Sequence, residues 1–155
     1  MAIFYHVGAS GLSPGTVLQP GNWGNTTRQF GPAGRMLTEL RDANVLMWEI
    51  ALETARLLSA PNSPSRFECV FACQTLGDAK NFRDRFRRGS VVYEVQCDDD
   101  APTHLGNFEA ITYSSSTAPL VDHKSSLAIS YWRDAPTGIK EILIGSPVTV
   151  VAQVA

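Results

Sequence analysis

The sequence predicts an α+β domain in which short strands surround a few helices. Residues 69–95 contain a strand, a helix and a second strand in close succession, and residues 139–154 contain two strands separated by a three-residue turn. Strands and helices do not alternate regularly along the rest of the chain. The pattern therefore argues against a doubly wound parallel sheet, and no G-x-G-x-x-G sequence follows a strand to indicate a Rossmann site.

Size and composition indicate one globular unit. The chain has 155 residues, of which 44% are hydrophobic and 18% charged, so we expect a single domain over residues 1–155. No apolar run is long enough to cross a bilayer, and the N-terminus lacks the basic segment of an export signal. The cysteines lack zinc-binding spacing, which predicts reduced, mostly buried thiols and no metal. Together these features predict a cytoplasmic protein with no membrane association.

The first part of the chain contains two clear elements. Alternating side chains predict a strand at residues 3–7, and the Gly, Pro and Asn content of residues 8–34 predicts a long loop. Residues 45–58 predict a helix, because its charged residues fall at i, i+4 and i+7 and form one narrow polar stripe: Glu49, Glu53 and Arg56. The remaining circumference of this helix is apolar, so we expect it to be the main packing helix and to be largely buried.

Shorter patterns define the remaining elements. We predict strands at residues 69–73, 91–95, 139–144 and 148–154, and helices at residues 76–87 and 121–132. A Ser-rich stretch at residues 114–117 precedes the last helix. Gly145, Ser146 and Pro147 separate the last two strands, which we therefore expect to form a closing antiparallel pair.

The charge distribution is uneven. The formal net charge is −2, which argues against a dedicated nucleic-acid-binding protein. Five of the thirteen basic residues nevertheless fall within residues 80–88, and three aspartates follow at residues 98–100. These runs are typical of a solvated helix face and an acidic turn, and the alternative is a patch that steers an anionic ligand or partner.

Two polar residues interrupt apolar strands. His6 lies within the first strand, where an imidazole either bonds a backbone carbonyl in the core or belongs to a site. Glu141 shares a strand face with Ile139 and Leu143, and a carboxylate on an apolar face is costly unless it is paired or lines a cleft. The sequence contains no nucleophile elbow, no Walker A sequence and no closely spaced histidine pair. His6 and Glu141 are therefore the leading candidates for chemistry.

Three segments carry a family resemblance. The strand sequence Tyr5-His6-Val7-Gly8 is followed by spaced leucines and glycines: Leu12, Gly15, Leu18 and Gly21. The strand at residues 69–73 is followed by a helix that carries Ala79 and Phe82, and Glu141 opens a strand that precedes the final one. In this order the chain resembles the ADP-ribosyltransferase superfamily, most closely the small rifampin ADP-ribosyltransferases.

The resemblance implies an ADP-ribosyltransferase-like split antiparallel β-sheet core with flanking helices, and NAD as the substrate. It implies that His6 contacts the adenine-side ribose of NAD and that the backbone at Val7 or Gly8 holds the nicotinamide amide. Glu141 would contact the nicotinamide ribose and stabilise the cation that forms as nicotinamide leaves, so His6 and Glu141 would be the catalytic residues. Further residues expected at the NAD site are Arg66, Phe71 and Phe82.

Several alternatives stay open. Tyr131 and Trp132 are expected to wall the acceptor site, or else to be core aromatics at a helix end. The acceptor would be a protein, a nucleic acid or a small molecule; arginine modification is not expected, because Ile139 replaces the glutamate or glutamine of arginine-specific members. Rifampin-modifying enzymes rely on an aspartate after the middle strand, so the competing acidic candidates are Asp98, Asp99 and Asp100. A catalytically inactive NAD- or partner-binding module and an RNA 2′-phosphotransferase are the other functions considered.

Overall fold

The computed structural model describes residues 1–31, 34–113 and 119–155, so the Ser-rich stretch at 114–117 lies outside the described residues. The strands are β1 (Ala2–Gly8), β2 (Val17–Leu18), β3 (Val70–Ala72), β4 (Val91–Cys97), β5 (Thr103–Asn107), β6 (Lys140–Ile144) and β7 (Val148–Gln153). The helices are α1 (Asn22–Thr27), α2 (Leu40–Ser59), α3 (Leu76–Phe86), α4 (Phe108–Tyr113) and α5 (Leu120–Arg133), with a short 3-10 turn at Arg66–Glu68.

The strands form two antiparallel sheets, which confirms the predicted α+β class. The larger sheet has the order β1-β4-β7-β2 and the smaller one β3-β6-β5. The main core lies between them and contains residues from both sheets: Val70, Ala72, Tyr93, Val95, Ile142, Ile144, Val148 and Val150. The other face of the small sheet packs on α2 and α5, where Leu143 joins Leu52 and Ala128. Each sheet is thus covered on the side that its apolar residues require.

In the described part of the chain, one backbone bridge joins the two sheets, between β1 and the residue that follows β3. The backbone N–H of Tyr5 donates to the carbonyl oxygen of Cys73 at 2.9 Å, and the N–H of Cys73 donates to the carbonyl of Tyr5 at 2.8 Å. Helix α3 packs over this junction, with Ala79 against Tyr5 and Val7. We call this contact between β1 and β3 the seam.

The last two strands do not form the predicted antiparallel pair. β6 lies between β3 and β5 in the small sheet, whereas β7 lies between β4 and β2 in the larger one. Their short connection passes from one sheet to the other, and Gly145 N donates to the carbonyl oxygen of Pro102 at 2.8 Å. This arrangement gives each strand two hydrogen-bonded neighbours, which the alternation of side chains in a sequence does not reveal.

The predicted loop at residues 8–34 contains two short elements, α1 and β2. The sequence of α1, NWGNTT, is poor in helix-forming residues, so its conformation depends on tertiary contacts. Gly24 in α1 lies against the carbonyl group of Phe67, where a Cβ atom would overlap the backbone. Gly21, with a φ of 100°, precedes the helix and donates its N–H to the carbonyl oxygen of Cys69 at 3.2 Å. Packing against the 3-10 turn therefore stabilises a helix that local propensity does not predict.

Helix α2 packs through the apolar residues Leu52 and Ala55, as expected, but it also buries part of the stripe that the sequence assigned to a polar face. Glu49, in the polar stripe, is only 4% exposed, whereas Ile50 is 63% and Leu58 83% exposed. The carboxylates of Glu49 and Glu53 find hydrogen-bond donors inside the fold, from Arg66 and from Ser65, and this pairing allows the polar stripe to be buried. The apolar residues on the side of the helix opposite Leu52 face outward. Even so, no helix in the described part of the chain is both long and apolar enough to cross a membrane.

Candidate functional site

A cluster of buried polar side chains lies where α2, α5, β6 and the 3-10 turn meet. We call it the Arg66 cluster, and its members are Glu49, Arg66, Tyr131 and Glu141, exposed by 4%, 6%, 2% and 5%. Helix α2 contributes Glu49, α5 contributes Tyr131 and β6 contributes Glu141. The turn that carries Arg66 is capped by Ser65, whose hydroxyl accepts from the N–H of Phe67 at 3.1 Å.

Arg66 is the centre of the hydrogen bonds in this cluster. Its Nε donates to Glu49 Oε2 at 3.0 Å and its Nη2 to Oε1 at 3.1 Å, which makes the pair bidentate. Its Nη1 donates to Glu141 Oε1 and, at 3.0 Å, to the hydroxyl oxygen of Tyr131. The Tyr131 hydroxyl donates in turn to Glu141 Oε1 at 2.8 Å. The guanidinium also lies 4.9 Å from the centre of the Phe71 ring.

The Arg66 cluster holds two carboxylates and one guanidinium. Burial raises the pKa of Glu141, and the nearby Arg66 offsets this effect only in part because Glu49 shares the same guanidinium. Burial would by itself lower the pKa of Arg66, but the charges of Glu141 and Glu49 raise it well above its usual value, so Arg66 remains a cation. Burial likewise raises the pKa of Tyr131. The cluster therefore combines a permanent cation with a carboxyl group that binds a proton more readily than usual.

This shift predicts a pH-dependent contribution of Glu141 to stability. The pKa of Glu141 in the folded state lies above its ordinary value of 4.5, so its contribution is fully present below about pH 4.5 and is lost as pH rises through the folded pKa. We expect Glu141→Gln, which cannot ionise, to gain stability relative to the wild type as pH rises. Urea unfolding of both proteins from pH 4.5 to 8 tests this, and a difference that stays constant or shrinks with pH would contradict it.

His6 lies at the seam, on β1. Its Nδ1 is 2.8 Å from the carbonyl oxygen of Phe71, and because a carbonyl only accepts, Nδ1 carries the proton. Burial lowers the pKa of His6, and the hydrogen bond to Phe71 offsets this only partly. The neutral ring therefore presents Nε2 as an acceptor. Nε2 lies beside Gly8, where a Cβ atom would come within 2.8 Å of it, so a larger residue at position 8 would displace the ring.

In this conformation His6 and Glu141 point to different sides of their sheets. His6 alternates in phase with Phe4, which packs against the core between the sheets. Glu141 is next to Ile142, a member of that core, and adjacent residues of a strand point to opposite faces of the sheet. The Glu141 side chain therefore lies on the other face of the small sheet, toward α2 and α5. The structure therefore brings four of the predicted site residues together: Arg66, Phe71, Tyr131 and Glu141. His6 is linked to this group by its hydrogen bond to the carbonyl oxygen of Phe71.

Val7, Gly8, Phe82 and Trp132, which were also predicted as site residues, lie in two places. Val7, Gly8 and, through α3, Phe82 lie near His6 at the seam, and the Phe82 ring also contacts Phe86 and Phe108 at centroid distances of 5.3 and 5.0 Å. Trp132 is a core residue that is 6% exposed and donates its Nε1–H to the carbonyl oxygen of Leu52 at 2.7 Å. This agrees with the alternative of a core aromatic at the end of a helix.

The acidic run at residues 98–100 lies at the far end of β1 from the seam. Ala2 pairs with Cys97, whereas Gly8 pairs with Val91 at the other end of the two strands. The N-terminal ammonium group bonds Asp99 Oδ2 at 2.6 Å, between two exposed groups. The structure therefore places these aspartates beside neither His6 nor the Arg66 cluster.

Sequence reasoning missed Glu49 and Gly106 as site residues. Glu49 belonged to the stripe assigned to a polar helix face, where a carboxylate is solvated and needs no partner, and no pattern in the sequence pairs it with Arg66. Gly106 pairs with Glu141 across β5 and β6, and a Cβ at this position would overlap the Tyr131 ring. No pattern in the sequence indicates that a ring fills the space above this glycine.

The cysteines are buried thiols, as predicted. Burial raises the pKa of Cys69 and also that of Cys73, the latter to about 12, so both stay protonated near neutral pH and are poor nucleophiles. Within the described ranges, no group of three or more His, Cys, Asp or Glu side chains is arranged to hold a metal ion.

Comparison with known proteins finds a family without an assigned activity. The family described as "Protein of unknown function (DUF2441)" matches residues 31–155, which include the whole Arg66 cluster. His6, Val7 and Gly8 precede the matched residues. No curated protein matches the chain.

Proposed function

Since the chain belongs to this family of unknown function, DUF2441, we propose its function from its geometry: it is an NAD-dependent mono-ADP-ribosyltransferase. It would cleave the bond between nicotinamide and ribose and transfer ADP-ribose to a protein, nucleic-acid or small-molecule acceptor. The finer fold proposed with it is the ADP-ribosyltransferase type of split sheet. Two antiparallel sheets that touch through one bridge, with a histidine beside that bridge, support this proposal.

The open edge of β1 beyond the seam is the observation that carries the proposal. The N–H and C=O of Tyr5 point away from β4, because both bond to Cys73. Peptide groups repeat every second residue along an antiparallel strand, so those of Val7 point to the same side, past the end of the bridge. A primary amide binds such an N–H and C=O together. The nicotinamide amide of NAD would bind here, with His6 Nε2 accepting a hydrogen bond from a ribose hydroxyl.

The loop that follows β1 is held close to this edge. The buried Tyr93, which pairs with His6 across β1 and β4, donates its hydroxyl to the carbonyl oxygen of Ala9 at 3.0 Å. The same hydroxyl accepts from the N–H of Leu12 at 3.1 Å. Gly11 and Gly15, with φ of 104° and 87°, shape the loop where a side chain would be strained. The hydrogen bonds of Tyr93 would thus hold the loop backbone in place before a dinucleotide binds along the end of β1.

Glu141 is the carboxylate proposed to stabilise the oxocarbenium-like cation. A fixed negative charge lowers the barrier where positive charge develops on the ribose as nicotinamide leaves. In this conformation Arg66 and Tyr131 hold Glu141, which is 5% exposed and lies on the face of the small sheet away from His6, so catalysis would require a rearrangement that frees Glu141 and brings it to the seam. A second function is favoured by this burial: a catalytically inactive module that binds NAD at the seam and uses Glu141 only as a structural ion pair.

Nicotinamide release from NAD tests both candidates, with purified protein in the presence and absence of cell lysate. We expect release by the wild type, a fall of about 100-fold for Glu141→Gln, weaker NAD binding for His6→Ala, and little change for the control Glu68→Gln. Glu68 is a suitable control because its side chain is 71% exposed and lies outside the cluster. Labelled bands or labelled nucleic acid in the lysate would identify the acceptor class.

The outcomes separate the two functions. An NAD-induced rise in the melting temperature without nicotinamide release would favour the inactive binding module. Release that survives in Glu141→Gln would show that Glu141 is not the catalytic carboxylate. The absence of both release and a thermal shift would reject NAD as the ligand.

A further inference from the structure

Helix α2 presents an unusually apolar surface to the outside. Its exposed large side chains are Leu40 at 88%, Met47 at 45%, Ile50 at 63%, Leu57 at 59% and Leu58 at 83%. The polar side chains Glu49, Glu53 and Arg56 occupy the inner side of the same helix, paired within the fold. Scattered exposed leucines are ordinary, but a continuous apolar stripe along one helix marks a contact surface.

The spacing of this stripe is that of a helix-pairing seam. Apolar and small residues follow one another at alternating steps of three and four, as at the a and d positions of a heptad repeat: Leu40, Ala43, Met47, Ile50, Thr54 and Leu57. None of these six residues is charged. A helix that packs on its own domain shows a broader stripe, whereas a narrow a/d stripe is typical of one helix packing along another. We call these six residues the α2 seam.

The α2 seam is complementary to itself. When two copies are set antiparallel about a two-fold axis between Met47 and Ile50, each Leu40 faces the partner's Leu57 and each Met47 faces the partner's Ile50. Ala43 then faces the partner's Thr54, so large residues meet large ones and small residues meet small ones. Opposed helix dipoles also favour the antiparallel direction. A two-fold interface requires this kind of self-complementary surface.

The outer surface of α2 and the neighbouring α5 is large enough for a weak dimer interface. A helix of 20 residues is about 30 Å long, and a pair of packed helices is about 20 Å wide. Helix α5 lies beside α2 and exposes Val121 by 75% and Ile129 by 45%, while Met36, ahead of α2, is 74% exposed. The surface is on the order of 600 Å² per copy, somewhat below the roughly 800 Å² of a standard interface. An interface of this size is at the low end of specific interfaces, so we expect a weak dimer with a dissociation constant on the order of micromolar.

We propose that the chain forms a two-fold dimer through antiparallel pairing of the α2 seam with that of a second copy. Pairing covers the exposed leucines and the isoleucine and leaves the inner, charged side of α2 on the Arg66 cluster. The contact between β1 and β3, where NAD is proposed to bind, lies on another part of the fold. The dimer proposal therefore does not depend on NAD binding.

Analytical ultracentrifugation between 1 and about 100 µM protein tests the dimer at concentrations that span its expected dissociation constant. We expect the wild type to dimerise and Ile50→Glu to raise the dissociation constant about 30-fold or more. The matched control is Val17→Glu, because Val17 is 50% exposed on β2, away from α2, and this variant should dimerise like the wild type. Leu57→Glu repeats the test in case Ile50→Glu fails to fold, which its melting curve shows.

Cross-linking tests the direction of pairing. In the proposed dimer a mixture of Leu40→Cys and Leu57→Cys proteins should form a mixed disulfide more readily than either variant forms its own, because the two copies of one position lie far apart in an antiparallel pair. Self-linking of each variant alone would reject the antiparallel arrangement. A wild type that stays monomeric at about 100 µM would overturn the proposal, and a monomer that sediments with anionic phospholipid vesicles would assign the α2 face to a lipid surface instead.

Discussion

Replacing Arg66 by alanine is expected to lower the free energy of unfolding by about 3–5 kcal/mol. The change leaves Glu49 and Glu141, which are 4% and 5% exposed, without their shared cation. Removing one member of a buried ion pair costs more than the pair itself contributes, because the remaining charge stays desolvated. Urea unfolding at pH 7 measures the loss.

An arginine on the surface provides the control for this prediction. Arg28 bonds Glu68 at 3.4 Å, but the two side chains are 56% and 71% exposed, so Arg28→Ala should cost less than about 1 kcal/mol. Neutralising the unpaired carboxylates should restore part of the stability. The triple variant Arg66→Met/Glu49→Gln/Glu141→Gln should therefore have a larger free energy of unfolding than Arg66→Ala. If Arg66→Ala were no more costly than Arg28→Ala, the Arg66 cluster would not be buried as described.

Replacing Gly106 by alanine is expected to cost about 2–4 kcal/mol, although only one methyl group is added. A Cβ at this position overlaps the ring of Tyr131, which must move and so loses its hydrogen bonds to Arg66 and Glu141. Overpacking and the loss of buried, charge-assisted hydrogen bonds both contribute to the cost. Thermal and urea unfolding measure the effect.

Gly77 is the matched control, since it is a glycine in α3 whose added Cβ would lie 3.8 Å from Thr75 Oγ1, an ordinary contact. Gly77→Ala should be neutral or stabilise the protein by up to about 1 kcal/mol. The double variant Gly106→Ala/Tyr131→Leu should lose less than the sum of the single changes, because the smaller side chain removes the overlap. Additive losses would show that the ring of Tyr131 is not the obstacle.

Local patterns predicted most elements of the fold. The helix expected at residues 76–87 is α3, Leu76–Phe86, where Thr75 caps the first turn by accepting from the N–H of Asp78 at 3.1 Å. The strands at residues 3–7 and 91–95 correspond to β1 and β4, and their alternating side chains face the cores on either side. Periodicity and capping depend on neighbours in sequence, so they can be identified without the fold.

The candidate site could be predicted only in part. Glu141 was identified because a carboxylate on an apolar strand requires a partner, and Arg66 was expected at the site only from the family resemblance. The sequence did not indicate that these two residues are partners of each other. They are separated by 75 positions, and the structure brings them together through the packing of the 3-10 turn on β6 and α2. The role of His6 in catalysis and the identity of the acceptor stay predictions.

By itself the sequence determined the α+β class, the eight predicted elements and the need of Glu141 for a partner. Tertiary structure decided that β6 and β7 belong to different sheets, that Glu49 turns inward and that Ile50 turns outward. The reason is that α2 is apolar over most of its circumference, so its sequence does not show which apolar residues pack on the protein or whether Glu49 is buried beside them. The burial of Glu49 depends on Arg66, which comes from elsewhere in the chain, because a buried carboxylate is tolerated only where a cation or hydrogen-bond donors pair with it.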